Sequence, residues 1–506
     1  MTSFQLPRQL RIGLAPLLLL TVVGAEVYVA LQQSGGTWVF PLDDSYIHLS
    51  IARQLAEHGT WALSEGRPAF AASSPGFDLL LAGFHRLSMA SEGLLLCINA
   101  LAGIMIGILA WRWTPSHRHK PWLWLASMLI LPLHLLVLLG MEHTLHILLV
   151  MAFLRCYSQD RVREMVILAA LATLLRYESI FVLFPVSLDL LFRGRFKLAA
   201  WQMILPLALV SCLGFWSYGQ GSSFLPSSLL LKGYSPLEDP LLWLESLLSK
   251  LYDNPFMLTL GLALSLGMRV KDRSQPLLRI SLLALGLHLA FAEVGGFRYE
   301  AYLLAMGLYS LAQLKILPTF PRPARLSQGL FLSLLLFPWL IRTMFFSLNY
   351  PLACANIHQQ PYQLAQFLKA YYPGEEVAVN DIGLATYIGK IALTDLVGLG
   401  DQAVLALRQN QQYQAQAIDS LARSRGLKIA VFHPDWIAER RPKSWTWVGS
   451  WTIANNFILA GDSLGFYAVS PRDAVRLRTQ MKAFTPALPA SVSVHIGPSL
   501  DSLVAE

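Results

Sequence analysis

Long apolar runs begin near Leu14 and recur until about Phe346, and the polar stretches that part them are short and rich in Arg and Lys. Runs approaching ~20 apolar residues are long enough to cross a hydrocarbon core, and shorter ones can cross inside a bundle. The composition agrees: 55% of the 506 residues are hydrophobic and 14% are charged, against roughly 25% charged in a soluble domain. A disordered chain, a basic nucleic-acid arm and an ordinary cytosolic enzyme are thereby excluded, and no nucleic-acid partner is expected. Four cysteines give neither a disulfide framework nor a CxxC pair. GxGxxG and GxxxxGK[ST] are both missing, so no nucleotide fingerprint is present.

The basic clusters fix a topology. They fall at Arg8/Arg11, Arg112/Arg118/Lys120, Arg155/Arg161/Arg163, Arg193/Arg195/Lys197, Arg269/Lys271/Arg273 and Lys315/Arg322/Arg325. Short basic loops mark the cytoplasmic side, so each interval between clusters must hold an even number of crossings. Residues 121–155, 164–192, 198–268 and 277–314 each divide into two runs, the third pair joined by a loop from about 219 to 253. With a first span near 13–31, a returning apolar helix between the loop 32–78 and the cluster at Arg112, and a last span near 327–346, about eleven transmembrane helices are expected. The N-terminus is then cytoplasmic, residues 347–506 lie outside, and the chain is a multi-pass protein of the inner (plasma) membrane. The net charge of +8 reports this orientation.

Beyond 346 the composition turns ordinary. Short strands are expected near 377–380, 391–396, 428–433, 445–453 and 465–469, with helices at 359–371, 402–409 and 413–425 between them. Strands alternating with helices make residues 347–470 a C-terminal extracytoplasmic α/β domain. Residues 471–506 read as a loosely held tail. The fold class is thus a polytopic α-helical membrane protein with an external α/β domain.

In this topology the carboxylate-bearing turns share one side. Asp43-Asp44 opens the first external loop, 32–78, with Asp44 where an N-cap would sit, before a helix running to about Glu57 and closed by Gly59. The two aspartates either cap that helix, or one is a base while the other caps or binds a cation, because adjacent carboxylates are costly unless they meet positive charge or share a proton. Ser73-Ser74-Pro75-Gly76 is a turn and helix start. Glu142-His143 and Arg176-Tyr177-Glu178 break apolar runs at membrane depth, where charges are functional candidates, although Arg176 and Glu178 could simply pair. Lys232 and Arg298 are scarce external cations, either snorkelling anchors or partners for a phosphate.

In this order the motifs resemble the GT-C superfamily of polytopic glycosyltransferases, over nearly the whole chain. The similarity is greatest to the bacterial group containing the mycobacterial terminal arabinofuranosyltransferases. Its carriers are Asp43-Asp44-Ser-Tyr-Ile-His48, Ser73-Ser74-Pro75, Gly140-Met-Glu142, Arg176-Tyr-Glu178, Leu225-Pro226-Ser227-Ser228 to Lys232, Arg298-Tyr299, and Asn380-Asp381-Ile-Gly383 to Asp395-Leu-Val-Gly398. The resemblance implies inverting transfer of a sugar from a polyprenyl-phosphate donor to an extracytoplasmic glycan or glycolipid, within cell-envelope biogenesis. Asp43 would be the general base. Asp44 would orient the acceptor or, with Asp43, hold a divalent cation such as Mg or Mn. Lys232, Arg298 and Tyr299 would bind the donor phosphate, and His48, Ser74, Glu142, His143, Arg176 and Glu178 would line the pocket. The competing class is a transporter or flippase of lipid-linked glycan; the one-sided polar turns and the lack of an inverted repeat speak against it.

Overall fold

A computed structural model describes residues 8–114, 128–231, 239–269, 274–314, 325–437 and 439–498. Among the described residues, three helices are long and apolar enough to cross a membrane: Pro16–Gln33, Glu92–Trp113 and Phe196–Gly219. Shorter apolar helices run over His143–Ser158, Phe256–Gly267, Gln275–Phe291 and Ala301–Ala312. Their outward faces keep large apolar side chains exposed, among them Leu17, Leu101, Trp201 and Phe215. Such a surface suits lipid rather than water.

The helix breaks have local causes. Gly140 sits at φ 66°, and a Cβ there would stand 2.3 Å from the Phe40 ring. Only glycine tolerates both the left-handed backbone and the contact. Arg176 is extended (φ −154°, ψ 130°), which parts Val162–Leu175 from Ile180–Phe192. Gly295 and Gly296, both at positive φ, shape the turn between Gln275–Phe291 and Ala301–Ala312.

The stretch expected as a loop from 219 to 253 departs from expectation, because it holds the helix Pro240–Asp253. Pro240 at its first turn and the Asp239 carboxylate, which accepts from Leu242 N–H at 2.9 Å, start it. The helix Arg325–Ile357 runs unbroken past residue 346 and continues through a π turn, His358–Tyr362, into Gln363–Tyr371.

Six strands form one sheet in the order β2-β1-β3-β5-β4-β6: β1 Glu376–Val379, β2 Ala392–Asp395, β3 Ile429–Phe432, β4 Thr446–Ile453, β5 Ser463–Ala468 and β6 Val492–Ile496. β1 pairs in parallel with both β2 and β3, and the remaining pairings are antiparallel. Phe367, Trp451, Phe466 and Met481 fill its core. Residues 471–498 correct the expectation of a loose tail. Ser470 caps the helix Pro471–Phe484, whose Ala474, Leu477 and Met481 are buried at i, i+3 and i+7, and β6 completes the sheet.

The sheet domain rests on the segment after the first helix and on the turn that follows Phe196–Gly219. Arg53 donates to the carbonyls of Thr386 and Tyr387 at 2.8 and 2.9 Å. Arg67 donates to the Leu393 carbonyl and pairs with Glu376 at 2.6 Å. Ser50 meets Thr386 at 2.9 Å, and Gln402 reaches Ser222 at 3.0 Å.

Candidate functional site

The helix Asp44–His58 is locally encoded. Asp43 takes the N-cap position, one residue before the expected cap, and Gly59 ends the helix at φ 67°. Ser45 Oγ donates to the Leu139 carbonyl at 2.6 Å, and Tyr46 OH accepts from Phe40 N–H at 3.1 Å. These bonds seat the first turn of the helix beside the Gly140 break.

From there the two aspartates part. The Asp43 carboxylate turns to the sheet domain, where its two oxygens accept from Gly383 N–H at 2.6 Å and Leu384 N–H at 2.8 Å. Asp44, whose side chain is 43% exposed, faces a cavity and lies 3.4 Å from the Arg298 guanidinium. Asp43 thus ties the start of the helix to the backbone turn after β1, which presents two N–H groups to it, while Asp44 stands on the cavity wall beside Arg298.

The cavity holds about 430 Å³ and is lined by Asp44, His48, Ser73, Met141, Arg176, Tyr177, Glu178, Ser228, Trp243, Ser246, Lys250, Glu293, Arg298, Tyr299 and Leu399, among others. A linked series of charges backs it. His48 Nδ1 lies 2.6 Å from Asp78, and its Nε2 lies 3.4 Å from Glu142. Glu142 meets Arg176 at 2.5 Å, and Arg176 also pairs with Glu178. Burial works against a charged His48, but the two carboxylates outweigh it and push the imidazole up to about 10. Arg298 stacks on the Tyr299 ring at 4.8 Å, donates to its hydroxyl at 3.0 Å and approaches Met141 Sδ at 3.3 Å. These contacts fix a guanidinium over the cavity.

Of the expected pocket residues, the fold brings His48, Arg176, Glu178, Arg298 and Tyr299 to the cavity wall, with Glu142 directly behind. Ser74 is fully buried as the N-cap of Pro75–Arg86, and its neighbour Ser73 lines the cavity instead. His143 is buried at the start of His143–Ser158 and is not part of the lining. Lys232 lies outside the described residues. Asp78, Trp243, Ser246 and Lys250 were not anticipated. The i, i+3, i+7 spacing of the last three was the available signal, and Asp78 is one carboxylate in an apolar helix.

The aspartate pair does not form a cation cage. Both Asp43 oxygens are taken by backbone N–H groups, Asp44 faces Arg298, and among the described residues no group of three His, Cys, Asp or Glu side chains is placed to hold a metal ion.

Two predictions concern the tether. A Cβ on Gly383 would stand 2.3 Å from the Asp43 carbonyl oxygen and 2.9 Å from its carboxylate. Gly383→Ala is expected to speed amide exchange over residues 383–387 by about ten-fold or more, the equivalent of one charge-assisted hydrogen bond; wild-type protection there would contradict the tether. The second concerns pH. Burial, then repulsion from Asp381, outweighs the two N–H donors and pushes the Asp43 carboxyl up to about 7. A carboxyl raised on folding contributes stability that is complete below its unfolded value, near 3.8, and is lost as pH rises through about 7. The melting temperature of Asp381→Asn is therefore expected to decline less than that of the wild type between pH 5 and 8. Parallel declines would rule out repulsion from Asp381 as a source of the shift.

A family model described as a domain of unknown function (DUF8728) matches residues 355–471, most of the sheet domain. No curated protein matches the sequence. Among solved structures, the chain is similar to the crystal structure of ArnT from Cupriavidus metallidurans in the apo state. The TM-score is 0.53 at 12% identity, over 90% of this chain and 98% of that one. At this identity the likeness is one of fold, and it spans both the helical part and the sheet domain.

Proposed function

We propose that this chain is an integral membrane glycosyltransferase of the GT-C type. It would move a sugar, with inversion, from a polyprenyl-phosphate donor to an extracytoplasmic glycan or glycolipid. The observation that carries this reading is a half-exposed carboxylate, Asp44, set 3.4 Å from a stacked guanidinium, Arg298, in a cavity of about 430 Å³. The ArnT-like fold supports the type. The motifs of the first loop ally it with the group containing the mycobacterial terminal arabinofuranosyltransferases. About eleven spans, with the N-terminus cytoplasmic and the sheet domain outside, complete the proposal.

In this reading the acceptor hydroxyl attacks the anomeric carbon while Asp44 takes its proton. The bond from that carbon to the phosphate oxygen breaks on the opposite face, and polyprenyl phosphate leaves with the electron pair. A carboxylate is a weak base, but it need accept the proton only as the new C–O bond forms. Arg298 stabilises the departing phosphate, held in place by Tyr299. Arg176, pinned by Glu142 and Glu178, adds a second fixed guanidinium in the lining. Leu399 closes one side, carried on a loop whose N–H groups at Val397 and Gly400 bond to Asp395 at 2.7 Å.

The test is transfer of labelled sugar from a polyprenyl-phosphate donor to envelope glycolipids by the protein in nanodiscs. Labelled acceptor is expected. Movement of the donor across the bilayer without a new glycosidic bond would support the flippase instead.

A further inference from the structure

The helix Pro240–Asp253 presents two opposed faces. At 100° per residue, Leu241, Leu244, Leu248 and Tyr252 form one stripe, and Trp243, Ser246 and Lys250 form another about half a turn away. The first stripe is exposed at 80%, 45%, 57% and 86%, and none of the helix's residues is buried. The second stripe lines the cavity. Glu245, Ser249 and Asp253 make an exposed polar edge between them. A helix with one bare apolar face, one polar edge and little packing of its own is built to lie in a bilayer interface.

The cavity face carries the charge. Arg298 is matched by Asp44, and Arg176 by Glu142 and Glu178, whereas Lys250 has no carboxylate within ion-pair distance among the described residues. Trp243 Nε1 donates to the Ala290 carbonyl at 2.7 Å, which pins the indole and sets the helix against the end of Gln275–Phe291. Lys250 is thus an unmatched ammonium on the cavity side of a helix whose other side suits acyl chains.

We propose that this helix lies in the membrane interface as the lateral gate of the cavity, and that Lys250 captures the phosphate of a polyprenyl lipid passing from the bilayer towards Arg298. This rests on the glycosyltransferase reading for its ligand but is tested without requiring transfer. The apolar stripe holds the helix at the depth where a lipid phosphate travels. Lys250 offers a mobile point charge there, and the planar guanidinium of Arg298 receives the phosphate further in. The capture step forms and breaks no covalent bond.

The experiment uses the full-length protein in nanodiscs, with polyprenyl monophosphate as the probe. Lys250→Ala is expected to weaken binding about ten-fold, the loss of one charge-assisted contact, and Lys250→Arg to retain most of it. Inorganic phosphate at equal concentration is expected not to compete, because it lacks the lipid chain. A fluorophore on Leu248→Cys, with Cys97 and Cys212 replaced by Ala, is expected to be quenched by brominated lipid; one on Ser249→Cys is expected to be quenched less. Wild-type binding by Lys250→Ala, or a water-exposed label at 248, overturns the gate. If the wild type binds the probe through Lys250 yet never forms a glycosidic bond, the enzymatic reading fails and the gate stands. If transfer proceeds with an unchanged donor KM in Lys250→Ala, the gate alone fails.

Discussion

Asp44→Asn is expected to lower sugar transfer by about 10³-fold while the protein melts and purifies as the wild type does. General-base contributions run from about 10² to 10⁴. An amide of the same shape keeps the side chain's volume but cannot take the acceptor proton. Stability should hold, because Asp44 is 43% exposed and its partner Arg298 keeps its contacts with Tyr299 and Met141. The donor KM should change little, since the phosphate is held elsewhere. Asp43→Asn serves as the counterpart. It removes one of two acceptors for the N–H groups of Gly383 and Leu384, so its loss of activity should track loosening of the sheet domain. Full activity in Asp44→Asn, with inactivity in a firmly docked Asp43→Asn, would return the base to Asp43.

The second large effect is structural. Arg176→Met is expected to destabilise the protein by about 3–5 kcal/mol, the typical cost of leaving a buried charge without its partner. Glu142 is fully buried and has Arg176 at 2.5 Å and His48 at 3.4 Å. Without the guanidinium, Glu142 and Glu178 would face each other's charge in a site of low polarity. Arg176→Met combined with Glu142→Gln should recover a good part of the loss, because the bared carboxylate is then neutral. Thermal melting in nanodiscs measures both. A wild-type midpoint for Arg176→Met would mean that solvent already screens this network.

Much of the fold was legible because its signals are local. Gly59 ends the helix Asp44–His58 through its left-handed backbone alone. The breaks at Gly140 and Arg176 stand out as polar interruptions of apolar runs. The short continuous apolar runs Val377–Val379 and Ile429–Phe432 announce strands of a buried sheet. What stayed hidden depends on pairing over distance. No sequence pattern says that Asp43 will meet N–H groups 340 residues later, so two adjacent aspartates looked interchangeable until the sheet domain claimed one of them. Lys250 was hidden differently. Its helix has too few apolar residues to read as a span, and its meaning appears only when the Trp243, Ser246 and Lys250 stripe is seen against a cavity. The segment after Pro471 carries Arg472, Arg476 and Lys482 on its exposed face, and that masked the narrow buried stripe of Ala474, Leu477 and Met481.

The roles of the tether and the gate converge on one requirement. The sheet domain must stay docked for Leu399 to close the cavity over Asp44, and the helix Pro240–Asp253 must stay in the interface for a lipid phosphate to reach Arg298. The cavity lies where three elements meet: the segment after the first helix, the turn at Arg298 and the sheet domain.

The most direct measurement follows the anomeric configuration of the transferred sugar by NMR, together with polyprenyl phosphate released. The account predicts an inverted glycosidic linkage and one polyprenyl phosphate for each sugar transferred. Retention of configuration, or transfer without matching release of polyprenyl phosphate, would contradict single displacement at the Asp44–Arg298 cavity.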